Sequence, residues 1–282
     1  MRDVLLALPL LAACSSGLGL GPDGGPPAVT CALQDAGVPS SGFPSPVPGC
    51  SAPAGPTGVL DLAALGWGNR GGVLVVPAAP PGAPLPVVFG FHGADGDGEA
   101  VRARLALEGP VDGGAIFVYP NASAGTWDVG ADSADSRLVS ALLDLLANRY
   151  CVDPARIYIA GFSAGAVFTL YLGCHDRGTF RAMAVVAGTD ARFDRRCCQG
   201  ALSAIFVHGT QDEAIPFTEG RAALAHLLDR DQCTSTSAAD GLHCVAYACP
   251  AEYQADFCQW AGDHDVPDWA GWEIARFFSL LP

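Results

Sequence analysis

A chain of 282 residues, half of them apolar, can bury the core of one large domain, so disorder is not expected. Twenty-nine acidic residues against 15 basic ones give a net charge of −14, a field that repels nucleic-acid phosphates and anionic headgroups; no nucleic-acid partner is expected. All 15 basic residues are Arg, and the lack of Lys removes Schiff-base and pyridoxal-phosphate chemistry, Walker phosphate loops and Ser-Lys dyads.

After Met1-Arg2-Asp3, residues Val4 to Ala13 form an apolar run too short for a bilayer span, which needs roughly 20 residues. Its length predicts a signal peptide over 1–13. It ends in Leu11-Ala12-Ala13-Cys14, which resembles the bacterial lipobox, in which the Cys is lipidated and becomes the mature amino terminus. No Asp follows Cys14 directly, so the resemblance implies an outer-membrane lipoprotein facing the periplasm or the cell surface. Residues 14–57 are rich in Gly, Pro, Ser and Ala without hydrophobic periodicity, as in a tether, and leave 58–282 as the globular domain. Eleven Cys minus the lipidated one leave ten, an even number suited to disulfides outside the cytoplasm, whose connectivity stays open. No Cys-x-x-Cys pair or His-Cys cluster has zinc-ligand spacing, and no metal is expected.

Beyond the tether, β-branched runs at Val73–Val76, Val87–Phe91, Ala115–Tyr119, Ile157–Ala160, Ala184–Val186 and Ala204–Val207 predict buried strands. Apolar residues at helical spacing predict helices over Asp97–Leu107, Asp135–Tyr150, Ala164–Cys174, Thr218–Leu228 and Trp269–Leu280. The alternation predicts an α/β fold with a mostly parallel sheet covered on both faces, whose chemistry belongs at the carboxyl ends of the strands. No long apolar insertion suggests a lid domain.

Three segments at such strand ends carry the chemistry. Gly161-Phe162-Ser163-Ala164-Gly165 stands between the strand Arg156–Ala160 and a helix, the context of a nucleophile elbow, with Ser163 as nucleophile. A Ser hydroxyl needs a base to take its proton and an acid to orient that base, in the order Ser, acid, His. Asp212 follows the strand ending at His208 and is the expected acid, with Glu213 as the fallback; His264, in the loop before the closing helix, is the expected base. The mechanism needs a neutral imidazole, so activity is expected to rise as pH climbs out of the acid range. His208 reads as structural, and His175, His226 and His243 lack the strand-end context. The oxyanion of a tetrahedral intermediate needs two backbone N–H groups, expected from Ala164 and from Ala94 in the loop Phe91-His92-Gly93-Ala94-Asp95-Gly96. His92 reads as structural at its strand end and is also placed among the substrate-binding candidates.

With Tyr119-Pro120-Asn121, Trp127-Asp128, Tyr150–Tyr158, His208–Asp212 and the His264–Pro267 stretch, these segments resemble the extracellular feruloyl esterase and polyhydroxybutyrate-depolymerase-like branch of the α/β-hydrolases from about Gly66 onward. The resemblance implies a cofactor-free serine esterase acting on hydroxycinnamoyl esters of polysaccharide or on short polyesters; an acetyl-polysaccharide esterase is a rival reading, and a monomer is expected. Trp127 would line the substrate site as in relatives, or sit in the core or on the surface. Ala94 stands where relatives often carry Cys, and Asp265-Val266 where they often carry Trp, so the acyl pocket is expected to differ. From another class comes the alternative of a non-catalytic polysaccharide-binding surface lipoprotein.

Overall fold

The computed structural model describes residues 56–281 apart from 64–69, 81, 110–113, 131–132, 176–177, 199–200, 235–236, 241–242 and 251–252. The expected signal peptide, Cys14, Cys31, Cys50 and nearly all of the tether lie outside these residues.

The described residues build a ten-stranded sheet in the order β1-β2-β4-β3-β5-β6-β7-β10-β9-β8. Its centre is parallel: β4 (Ile116–Pro120), β3 (Leu85–Phe91), β5 (Val152–Phe162), β6 (Ala182–Val186), β7 (Ser203–Gly209) and β10 (Ala255–Trp260). Strands β1 (Gly58–Asp61) and β2 (Gly72–Val76) extend one edge antiparallel, and β9 (Cys244–Tyr247) with β8 (Ser237–Asp240) the other. Every residue of β4, β6 and β7 is buried, which is why these strands read as unbroken apolar runs.

Helices cover both faces. One core layer packs α2 (Ala134–Arg149), α3 (Ala164–His175) and α4 (Phe217–Arg230) against the sheet; on the other side Val101 and Leu105 of α1 (Gly98–Leu105) join Ile274, Phe277 and Phe278 of α5 (Ala270–Leu280). Helix α1 starts where Asp97 accepts a hydrogen bond from the Ala100 N–H. It stops two residues before the expected Leu107 because Ala106 turns left-handed at φ 46°. Among the described helices none is long and apolar enough to cross a membrane.

Two features depart from the strand-helix alternation. The β8–β9 hairpin is missing from the sequence expectation because Ser237-Ala238-Ala239-Asp240 is polar, small and largely exposed, with no run of β-branched residues. Among its described residues the β6–β7 crossover has no α-helix, only a 3-10 turn at Arg195–Cys197. That crossover is pinned to the end of α3 by a disulfide between Cys198 and Cys174. Two more bridges, Cys233–Cys249 and Cys244–Cys258, brace the β8–β9–β10 edge; Cys244 and Cys258 are direct cross-strand partners. Cys151 is also disulfide-bonded.

Candidate active site

The carboxyl ends of β5, β7 and β10 converge on one point. At the end of β5 the chain turns so sharply that Ser163 adopts φ 55°, a left-handed conformation costing on the order of 1 kcal/mol or more for a residue with a side chain. Its own backbone is held on both sides: the Ser163 N–H donates to the Val186 carbonyl at 3.0 Å, and its carbonyl accepts from Val167 at 3.0 Å. The flanking glycines follow from steric fit. A Cβ on Gly161 would lie 2.2 Å from the Gly165 carbonyl oxygen, and one on Gly165 would lie 2.0 Å from that of Phe91.

Asp212 and His264 sit on two loops stitched together, with Thr210 N–H donating to the Trp260 carbonyl and Gln211 N–H to that of Gly262. Gly209 permits this approach, since a Cβ there would meet the carbonyls of Gly262 and Asp263 at 2.4 Å. The result is a continuous line of hydrogen bonds. His264 Nδ1 lies 2.8 Å from Asp212 Oδ2, and His264 Nε2 lies 2.8 Å from Ser163 Oγ. The Asp212 side chain is fully buried, and its other oxygen accepts from the N–H groups of Ala214 and Ile215 at 3.0 and 2.8 Å. A carboxylate so surrounded fixes the imidazole with its proton on Nδ1, leaving Nε2 free to accept from the Ser hydroxyl. Glu213, the fallback acid, is exposed to solvent.

Beside Ser163 runs the loop after β3. Gly93 packs so closely that a Cβ on it would touch the Ser163 Cβ at 3.3 Å. In the same loop the Asp95 N–H donates to the Gly125 carbonyl at 2.7 Å and the Gly96 N–H to that of Gly93 at 3.1 Å. The Ala94 N–H, by contrast, has no acceptor among the described residues, and neither has the Ala164 N–H at the first turn of α3.

Trp127 and His92, expected at the substrate site, are both buried. The structure decides for the core: Trp127 is 5% exposed, its ring packs against Phe91 and Phe168, and its indole N–H donates to the His92 carbonyl at 2.8 Å. His92 is 1% exposed, with Nδ1 donating to the Gly93 carbonyl and Nε2 accepting from the Ala122 N–H. Burial pushes its pKa down, against the weaker upward pull of the Gly93 carbonyl, so the ring is neutral with both nitrogens committed. These two side chains underlie the start of the Gly93–Gly96 loop through the His92 and Gly93 carbonyls.

His208 is structural, as its position at a strand end predicts. Buried beneath the site, it lies 2.9 Å from the Ile215 carbonyl and 3.3 Å from Asp212 Oδ2, and desolvation lowers its pKa. His175 packs on Tyr171, His226 bonds Asp190, and His243 stacks on Trp269, all away from the triad.

Two further side chains pack beside this line of hydrogen bonds. The Phe162 ring packs 5.1 Å from the His264 ring, and the Arg104 guanidinium lies over that same Phe162 ring, 4.8 Å from its centre. Arg104 also bonds Asp265, the neighbour of His264, at 2.9 Å. Phe162 sits within the Gly-x-Ser-x-Gly segment, but Arg104 and Asp265 stand 161 residues apart, and no local spacing announces their contact. Among the described residues no group of three or more His, Cys, Asp or Glu side chains is arranged to hold a metal ion.

No family model matches the chain. Over 153 residues it is 28% identical to the bifunctional acetylxylan esterase/xylanase XynS20E of Neocallimastix patriciarum, a stretch covering 53% of this chain and 22% of that protein. Over 165 residues it is 26% identical to feruloyl esterase C of Emericella nidulans, covering 55% of this chain and 59% of the relative. The chain therefore spans about a fifth of the first protein and little more than half of the second. Among solved structures it resembles an acetyl xylan esterase from Aspergillus awamori, with a TM-score of 0.63 at 16% identity over 78% of this chain and 98% of the other. It also resembles esterase PE8, with a TM-score of 0.55 at 20% identity, over 75% of this chain and 98% of the other. The strand order, the crossovers and these likenesses together give the chain the α/β-hydrolase fold.

Proposed function

We propose that this chain is a serine carboxylesterase. The observation that carries the reading is the hydrogen-bonded line from Asp212 through His264 to Ser163, placed at the strained end of β5. Ser163 Oγ attacks the ester carbonyl while His264 Nε2 takes its proton, and Asp212 stabilises the imidazolium. The oxyanion forms against the N–H groups of Ala94 and Ala164, the two donors beside Ser163 without acceptors among the described residues. Loss of such a donor costs roughly a hundred- to thousandfold in rate. His264 returns the proton to the departing alcohol, and a water molecule, activated in the same way, cleaves the acyl-enzyme.

The substrate class we favour is the hydroxycinnamoyl ester of a polysaccharide, supported by the likeness to feruloyl esterase C. An acetylated xylan is the second reading, favoured by the likeness to the acetylxylan esterase/xylanase and to the Aspergillus awamori structure. The disulfides support work outside the cytoplasm. An anchor through Cys14 has the Leu11-Ala12-Ala13-Cys14 sequence in its favour and is tested by incorporation of labelled palmitate, abolished in Cys14→Ala.

The test of activity is hydrolysis of methyl ferulate, 4-nitrophenyl acetate and acetylated xylan by the oxidised protein, with Ser163→Ala as control. Turnover of methyl ferulate lost in the variant supports the favoured substrate, and turnover of the acetyl esters alone supports the second. Absence of Ser163-dependent turnover, together with no covalent labelling of Ser163 by a fluorophosphonate, would overturn the esterase reading in favour of a binding protein.

A further inference from the structure

A pocket borders the β6–β7 crossover. Between α3 and α4 this segment runs with a single 3-10 turn among its described residues and is tied to α3 by the Cys174–Cys198 bridge. Beneath that loop is a cavity of about 570 Å³, within the range of roughly 300–1,000 Å³ usual for small-molecule sites. None of Ser163, Asp212 or His264 lines it. It does share α3 with the site: Ala164 begins that helix and Cys174, which lines the cavity, lies near its end, about 15 Å away at the helical rise.

The cavity wall has two characters. Its floor is apolar, made by Leu170, Met183, Ala223 and Leu227, with Phe193 as an aromatic wall set edge-on to Tyr171. Its rim is polar, with Arg195, Arg196 and Arg230 balancing Asp190, Asp194 and Asp229, and His226 beside them. Most of these groups are already paired. Asp190 is 7% exposed and bonds both His226, at 2.8 Å, and Arg195, at 3.3 Å; Arg196 grips Asp194.

This balance selects the ligand. An anion would face three carboxylates here and a net charge of −14 on the whole chain, while a cation would face three guanidinium groups. A wholly apolar ligand would cover the Arg and Asp pairs of the rim without replacing the hydrogen bonds of the water it displaces. A sugar has apolar C–H faces for Phe193 and the floor, and neutral hydroxyls that both donate to carboxylates and accept from guanidinium groups. We infer that the cavity between α3 and α4 is a second binding site, separate from the triad, for a neutral oligosaccharide. It rests on the esterase reading only in its use: a glycan held there keeps its ester-bearing chain in the neighbourhood of Ser163 between successive cleavages, raising the local substrate concentration.

The experiment separates binding from catalysis. Calorimetric titration of the Ser163→Ala protein with unesterified xylohexaose and, separately, cellohexaose is expected to show saturable binding of at least one. Leu227→Trp, which fills the cavity, and Phe193→Ala, which removes its aromatic wall, are each expected to weaken that binding by about tenfold or more, equivalent to about 1.4 kcal/mol. With Ser163 restored, both variants should hydrolyse 4-nitrophenyl acetate at the parent rate yet lose about fivefold in kcat/KM on the polymeric ester, equivalent to about 1 kcal/mol. Failure of the parent to bind either sugar, or binding unchanged in whichever of the two variants folds, overturns the inference. If the sugar binds but the parent hydrolyses no ester, the second site stands and the esterase reading falls.

Discussion

Asp256 offers a test of the physics that holds the last strand to the last helix. It lies on β10, 4% exposed, with Nη2 of Arg276 on α5 at 4.0 Å from its carboxylate. Arg276 is spoken for by Asp240, at 2.6 Å, and by Glu273, at 2.8 Å. Desolvation, then the hydrogen bond and charge of Asp240, push the Asp256 carboxyl from an ordinary value of 3.8 up to about 7. Asp240 moves the opposite way, held down chiefly by its bond to Arg276. Protonated Asp256 donates to Asp240; ionised, it is a buried charge beside another.

A raised carboxyl pKa means that the folded state holds a proton the unfolded chain has already lost, so stability falls as pH climbs from about 4 to about 7. The Asp240 contribution, from a depressed pKa, is lost only on acidification below about 4 and is constant over this range. Between pH 5 and pH 8 the Asp256 linkage therefore removes about 3 kcal/mol, at about 1.36 kcal/mol per pKa unit. Asp256→Asn keeps a donor toward Asp240 and cannot ionise. Urea unfolding of the oxidised protein and of the variant at pH 5, 6, 7 and 8 should show the variant gaining on the parent as pH rises, the difference widening by about 3 kcal/mol from pH 5 to pH 8. Parallel pH profiles, or a difference that moves the other way as pH rises, would refute the reasoning.

The pair Arg104–Asp265 braces the His264 loop from α1 and is largely exposed, so its worth is at most about 1 kcal/mol and Arg104→Ala should lower kcat/KM no more than about fivefold. Asp265→Ala should do the same and the double variant no worse, with partial recovery on exchanging the two charges; additive losses in a four-variant kinetic cycle would show that the pair does not act as a unit. Gly165→Ala places a methyl 2.0 Å from the Phe91 carbonyl oxygen and 2.7 Å from that of His92, so α3 and the Ala164 N–H must move. Activity should fall by about 10²-fold in protein that still folds, read as ester turnover per active site titrated with a fluorophosphonate; near-normal turnover would contradict the fit. Replacing Cys233 and Cys249 together by Ala opens a loop of sequence separation 16 and should cost about 3 kcal/mol in urea unfolding, with a loss below about 0.5 kcal/mol counting against the bridge.

The parallel centre of the sheet was legible because its strands are buried on both faces. Ile116-Phe117-Val118-Tyr119 and Ala204-Ile205-Phe206-Val207 carry their burial in composition alone. The turn at Ser163 was legible for a related reason: its strained backbone demands glycine at 161 and 165, a steric rule that leaves a local mark. Asp212 and His264 were placed by chain order, and their contact with Ser163 is a matter of three strand ends meeting, which order implies but no spacing measures.

What escaped the sequence depends on the absence of an element or on contacts between distant segments. Trp127 suits a pocket wall and a core equally, since an indole serves both; only the location of its N–H acceptor, the buried His92 carbonyl, decides. The crossover over 187–202 offered no helix, but a missing helix in a sequence is merely a loop. It becomes a cavity only when α3 and α4 stand apart on either side and a disulfide holds the loop across the gap. Asp190, Asp194, Arg195 and Arg196 of that segment carry no motif in the sequence, and their setting comes from the apolar side chains of Met183 and Leu227 beside them.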